Sequence, residues 1–383
     1  MNDMENKTGT PLAAKPVAKA KHEPLIHITK RNNVTPLYSI GLRAAAIACS
    51  VLVMFILILI LANEKPTVIL KTMMEGLFGN VMRVWKLFGN TAILLGVALA
   101  LTPAFKMKFW NCGGEGQIMI GSLCAAAVMF FWGESLSLPV LTLVILIASV
   151  AAGAIWGVIP ALFKAKWNTN ETLFTLMMNY IALQLVKFFL KMYGNSQGNL
   201  EPMLSYALPK IFDGQYFLNI VVVAVICAIM YVYLRYSKHG YEISVVGESE
   251  KTARYIGINV PKVIIRTMLV SGGLCGLIGM LLVSNGSCSV TTTITGGQGF
   301  TAILVSWLGK FNPLYMILTS FLVIFLEQGT SYMGDICRLD TSMADIFIGV
   351  VLLFIIGCEF FINYKINFRK KAHAENEKKE EIA

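Results

Sequence analysis

The residues of this 383-residue chain that can do chemistry are few, and several stand beside glycines. GGEGQ at 113–117 puts Glu115 and Gln117 at a break where Gly113, Gly114 and Gly116 let the backbone turn and bare its polar groups near a helix start. Phosphate cradling does not fit. Glu115 is acidic, the run lacks a Lys-Ser/Thr ending, and no GxxxxGK[ST] occurs anywhere in the chain. A second run, GGQGF at 296–300, carries Gln298 and Phe300. Glu115, Gln117 and Gln298 can serve as gate groups at the mouth of a pathway. The favoured reading is that they are helix-terminus groups satisfied by backbone donors and serving the fold.

Thr175, Asn179 and Gln184 interrupt an otherwise apolar run. Asn179 falls about two turns into that run, where an unpaired amide is costly. It must face protein or a wet pathway, and a sugar or a nucleobase is one partner that fits. Helix–helix hydrogen bonding is the other reading of Asn179; the expectation is that Asn179 faces the central substrate pathway and that Phe300 lies near its outer half. Phe300 and the aromatic residues Trp132, Trp156, Trp167, Tyr180 and Trp307 can supply a stacking platform. The 8 Cys contain no CxxC pair and His numbers only 4, which argues against a structural zinc site. Cys288 and Cys337 fall in outer loops, where a disulfide is chemically allowed.

The longest charged interruption of the hydrophobic body is Arg235 to Arg266. Within it, Glu248 to Ile256 reads as a short helix. Glu248 and Lys251 are three apart and Glu250 and Arg254 four apart, so each pair can share a face. Gly257 supplies the C-cap, and Ala253 and Ile256 the apolar side. Such a segment, held between two membrane spans, is a solvated connector or a docking surface. As a docking surface it offers Glu248, Glu250, Lys251 and Arg254 for polar contacts, with Tyr255 and Ile256 to fill an apolar groove.

The elements that must position these residues follow from composition. The chain is 56% hydrophobic and 14% charged, with mean hydropathy +0.66, far too apolar for an ordinary soluble domain. The expected fold is an all-α polytopic membrane protein of about ten transmembrane helices with Gly-rich broken segments. Spans are expected near 40–62, 88–105, 116–132, 138–162, 171–192, 214–235, 262–285, 298–309, 312–330 and 343–364. Residues 1–39 read as a polar cytoplasmic tail, 40–364 as the membrane domain including the 235–266 loop, and 365–383 as a charged tail. The 40–62 run comes too late for an ordinary cleaved signal peptide and is taken as an anchor span. Residues 63–86 form an external connector whose 77–87 part reads as an interfacial helix. Asn168 with Glu171 reads as a capping box.

The formal net charge of +10 sits in tails and short loops, which fits the anionic face of a membrane rather than nucleic acid. Lys65, Lys71, Arg83, Lys86, Lys187, Lys191, Lys210 and Arg338 are the outer-side basic residues, a minority of the 32. That bias places both termini in the cytoplasm. GGEGQ then lies near the inner side and GGQGF near the outer side. Two similar breaks of opposite orientation suggest inverted repeats, 88–192 and 262–364, joined through 214–261.

GESEKTARYIGINVPKV at 247–263 resembles the cytoplasmic coupling region of ABC importer permeases of the nucleoside and simple-sugar uptake family. FWNCGGEGQIMIGSL at 109–123, NETLFTLMMNYIA at 170–182, GGQGFTAILVSWLGKFNP at 296–313 and TSMADIFIGVVLLF at 341–354 extend the resemblance, in order, across the membrane body. The family's Gly-x-Asn-Pro near the coupling-helix start is here Gly247-Glu248-Ser249, without the Pro that preorganises a first turn. The resemblance implies a transport subunit with no ATPase site of its own. It would pair with a second permease subunit, bind a cytoplasmic ATPase that supplies ATP and Mg, and receive solute from an extracytoplasmic binding protein or lipoprotein in a bacterial cell membrane. A branched-chain amino-acid permease of a related importer family is the main alternative. An ion-coupled secondary transporter is a more distant one.

Overall fold

The computed structural model describes residues 26–31, 35–62, 66–195, 200–206, 216–284, 288–336 and 341–368. Thirteen α-helices are seen among them. In chain order these are α1 (Pro36–Ala62), α2 (Pro66–Phe78), α3 (Val81–Lys106), α4 (Gly114–Trp132), α5 (Leu138–Trp167) and α6 (Glu171–Tyr193). There follow α7 (Phe217–Tyr236), α8 (Lys238–Glu248), α9 (Glu250–Tyr255), α10 (Val260–Leu282), α11 (Gln298–Leu308), α12 (Pro313–Ile336) and α13 (Thr341–Asn363). The chain divides into two compact units, one of residues up to Val51 together with those from Val351, the other Leu52–Val350.

Eight helices among the described residues are long and apolar enough to cross a membrane: the Leu37–Leu57 part of α1, and α3, α4, α5, α6, α7, α10 and α12. The chain is thus an all-α polytopic membrane protein. Two of the expected spans are not in that set. The 298–309 stretch forms α11, whose 11 residues rise only about 16 Å against a hydrocarbon core of roughly 30 Å. The 343–364 stretch is helical in α13, with many of its side chains outside the described residues.

The larger unit is built around α3 and α10. In α3, 89% of the apolar window is buried, against 22% in α5, so α3 runs through the protein interior while α5 shows most of its surface outward. Close approach of α10 to its neighbours depends on small residues. A Cβ added at Gly276 would lie 2.1 Å from the Ser149 carbonyl oxygen of α5, and one at Gly272 would lie 2.3 Å from that of Gly153. Glycines four apart on both helices, Gly153 and Gly157 facing Gly272 and Gly276, let the two backbones touch.

Several helix ends differ from expectation. The interfacial helix expected over 77–87 does not form. Asn80 breaks it, its side chain accepting from the Met82 N–H to start α3, and Trp85 packs edge-on to Phe217 within the α3 span. Asn168 is not the start of α6. It closes α5 in the left-handed conformation, at φ 51°, and Asn170 is the N-cap, accepting from the Leu173 N–H at 3.2 Å. Glu171 turns to Lys164 at 2.9 Å, joining the end of α5 to the start of α6. Cys288 is buried, and Cys337 lies outside the described residues.

In the smaller unit, Ile26–Lys30 and Tyr364–Phe368 pair as an antiparallel two-stranded sheet, Ile28 opposite Ile366. Both stretches overlap segments expected to be tails without structure. Arg43 and Glu359 form an ion pair in the same unit.

Candidate functional site

The two glycine runs meet. α4 begins at Gly114 and α11 at Gln298, and the start of each lies against the start of the other. The Glu115 carboxylate accepts from the Gly297 N–H at 3.1 Å, from the Gly299 N–H at 2.8 Å and from the Thr295 hydroxyl. It therefore caps a helix some 180 residues away, and the α11 dipole favours its charge. Only glycine fits at 299, where a Cβ would lie 2.4 Å from the Glu115 nitrogen. The breaks were expected on opposite faces of the membrane. They are instead in contact, because residues 291–297 fold back from the end of α10 to start the short α11 inside the protein. Gln298 stands in GGQGF where Glu115 stands in GGEGQ, and its Oε1 is buried with no donor among the described residues.

A polar frame supports the first break. Gln117 Nε2 donates to Asn111 Oδ1 at 3.2 Å, and Asn111 Nδ2 reaches Ser271 of α10 at 3.4 Å. Asn111 also accepts from the Gly113 N–H at 3.1 Å, an Asx turn that sets up the start of α4. Asn179 of α6 accepts from the Gly116 N–H and donates to the Cys112 carbonyl, both at 2.9 Å. Its carboxamide is thus engaged by backbone on both sides, and the residue is 9% exposed. Asn111 was not among the residues the sequence singled out. A signal for it exists, since an Asn two residues before a Gly pair is a turn former.

At the far end of α11, Trp307 and Trp110 lie 5.4 Å apart between ring centroids, with Phe311 and Phe105 stacked beside them. Phe300, 45% exposed, stands at the start of the same helix. It shares a face with Trp307 two turns on.

The charged interruption forms two helices rather than one. Ser249 ends α8 and caps α9, accepting from the Thr252 N–H at 3.3 Å. The chain turns there, so Glu248 and Lys251 belong to different helices and do not share a face. Glu250 and Arg254 do pair, at 3.6 Å. Gly257 takes φ 85°, the left-handed value expected after a helix end. Ala253 is buried in a cluster with Ile243, Val246 and Val260. Ile256, expected on that apolar side, is instead 51% exposed, and Tyr255 is 93% exposed. The two large apolar side chains therefore project from a helix whose small side is anchored. Gly247 seats α8 on the end of α3, where a Cβ would lie 2.2 Å from the Lys106 carbonyl oxygen. Glu242 accepts from Arg266 Nη2 at 2.7 Å, tying α8 to α10. The Arg266 hydrogen bond holds the Glu242 carboxyl below its ordinary range, against the opposing effect of burial.

Residues 83–356 match the family model described as the permease component of branched-chain amino acid transport systems. The chain is 29% identical over 312 residues to the guanosine ABC transporter permease protein NupP of Bacillus subtilis, covering 78% of this chain and 88% of that protein. It is 28% identical to the glucose ABC transporter permease protein TsgB13 of Haloferax volcanii, over 72% of this chain and 75% of that one. It is also 28% identical to the guanosine ABC transporter permease protein NupQ of Bacillus subtilis, over 62% and 77% respectively. Two glycine breaks capped by side chains and meeting among membrane spans, a two-helix charged segment between two more, and a family match over most of its length lead to one conclusion: the chain belongs to the branched-chain amino acid transport system permease component family and is a membrane permease subunit of an ABC-type importer.

Proposed function

We propose that this subunit carries a nucleoside or a simple sugar into a bacterial cell by alternating access, and that α8 and α9 are where a separate ATPase subunit drives it. The observation that carries the choice of solute is the extent of similarity to a guanosine permease, 88% of whose length is matched. The glucose permease supports the same class of neutral, hydroxyl-rich solute. In the rival reading the solute is a branched-chain amino acid.

In this reading both termini and the 235–266 segment face the cytoplasm, and the complex holds a second permease subunit and an extracytoplasmic solute-binding protein or lipoprotein. ATP and Mg bind in the ATPase. Tyr255 and Ile256 enter an apolar groove of that partner, with Glu248, Glu250, Lys251 and Arg254 around them. Exposed ion pairs contribute little, about 0.2–1 kcal/mol each, so the two large side chains carry the contact. Movement there reaches the membrane body through the Glu242–Arg266 tie and the seat of Gly247 on α3. Phe300 lines the pathway, and Asn179 with Gln117 holds the frame of the break behind it. Residues 88–192 and 262–364 are inverted repeats. The matched positions of Glu115 and Gln298, at two helix starts that meet, support that symmetry.

ATP-dependent uptake by the reconstituted complex tests the solute. Labelled guanosine or glucose should accumulate inside proteoliposomes, and accumulation of leucine alone would sink the proposal.

A further inference from the structure

A cavity of about 260 Å³ opens where the start of α7, the end of α10 and the 291–294 segment surround α3. It is separate from the glycine breaks. Its polar wall is Asn90, Tyr216, Asn219 and Thr291, and its apolar wall includes Ile93 and Ile294. The wall is built rather than incidental. Gly89 gives Tyr216 its place, since a Cβ there would lie 2.7 Å from the tyrosine side chain. Asn219 is buried. Asn90 stands in the α3 span, half-buried, and lines the cavity with its carboxamide-bearing side chain.

Among the described residues, the lining contains no charged side chain. Its amide, phenol and hydroxyl groups beside apolar side chains match a neutral ring with hydrogen-bonding edges. The volume lies just under the roughly 300 Å³ at which small-molecule sites begin, so it suits one ring system. The 291–294 wall runs directly into Thr295 and Gly297, which hold Glu115. A ligand here would thus press on the segment that starts α11.

We propose that this cavity is a solute-binding subsite within a single permease subunit, taking the base or the sugar ring of a neutral solute before it reaches the glycine breaks. The inference rests on the reading of the protein as a nucleoside or sugar importer, and it names a recognition site for that solute. By the topology of that reading, the start of α7 and the end of α10 put the cavity in the outer half of the membrane.

The test uses the complete importer in proteoliposomes with labelled guanosine, glucose and leucine. Asn90→Ala and the isosteric Thr291→Val are compared with wild type at equal subunit content. Each should raise the KM for the transported neutral solute about tenfold, the loss expected for a hydrogen bond to a bound polar group, with maximal rate changed less than about twofold. Thr291→Val keeps the side-chain shape, so it reads the hydroxyl even where Asn90→Ala assembles poorly. If wild type imports guanosine or glucose and both variants keep its KM, the subsite is overturned and the functional reading stands. If wild type imports leucine alone, the functional reading fails, and a neutral-solute subsite fails with it.

Discussion

At the scale of single residues, Glu115 decides the most. Its carboxylate has three donors on the chain that starts α11, and a neutral amide can accept through only one oxygen while setting its own N–H groups against the others. Glu115→Gln is expected to cost about 2 kcal/mol, the scale of hydrogen bonds to a charged group. Thermal unfolding of the purified protein in nanodiscs should show a clear fall in midpoint, and an unchanged midpoint would remove Glu115 from its capping role. Asn179→Leu strips two backbone groups of their partner in the 112–116 turn. The expected outcome is a lower yield of folded protein along with lower uptake. Normal yield with a raised KM alone would instead put Asn179 in contact with solute. The type of both residues was legible in the sequence, and so was the requirement that each be satisfied. Their partners were not, because Thr295 and Gly297 are some 180 positions from Glu115, and no local rule links them.

At the scale of elements, the α8–α9 pair separates stability from coupling. Tyr255 and Ile256 are exposed, and surface substitutions away from special features usually stay within about 0.5 kcal/mol. Replacing both with Ala should therefore leave the unfolding midpoint in place. It should still abolish solute-stimulated ATP hydrolysis or weaken ATPase binding at least about tenfold. Preserved activity in reconstituted complexes would reduce α9 to a connector.

The Glu242–Arg266 tie gives a pH dependence whose sign is fixed. The folded carboxyl is held below its ordinary 4.5. Its contribution is thus complete above the unfolded value near 4.5 and is lost as pH falls through the lower folded value. Unfolding midpoints measured across the acidic range and at neutral pH should show wild type losing more on acidification than Glu242→Gln. Parallel curves would show that the tie carries no linkage. The charge pattern and the Gly257 ending were readable because both are local. The break at Ser249 was not, since a serine with Thr252 three positions on can cap a new helix as readily as sit inside one.

At the scale of the whole molecule, orientation is open to direct measurement. With cysteines introduced singly at positions 20, 250 and 380, a membrane-impermeant thiol reagent should label none of them from outside intact cells and all of them in inverted vesicles. Labelling of position 250 from outside would reverse the topology and detach α8 and α9 from any cytoplasmic ATPase. The sequence by itself determined that this protein lives in a membrane, where most of its helices run, where charge interrupts them and which glycines break them. Each of these follows from hydropathy, helix length and backbone freedom within a short window. It could not tell a full span from α11, because 11 apolar residues between glycines look the same whether they cross or turn back. Only the tertiary structure decided that the two breaks meet, that Glu115 caps the helix of the other motif, and that α10 lies against α5 through paired glycines. These are contacts between distant segments. They exist because buried polar backbone must find partners and because helices in lipid gain by approaching closely, and neither demand names its partner until the chain has folded.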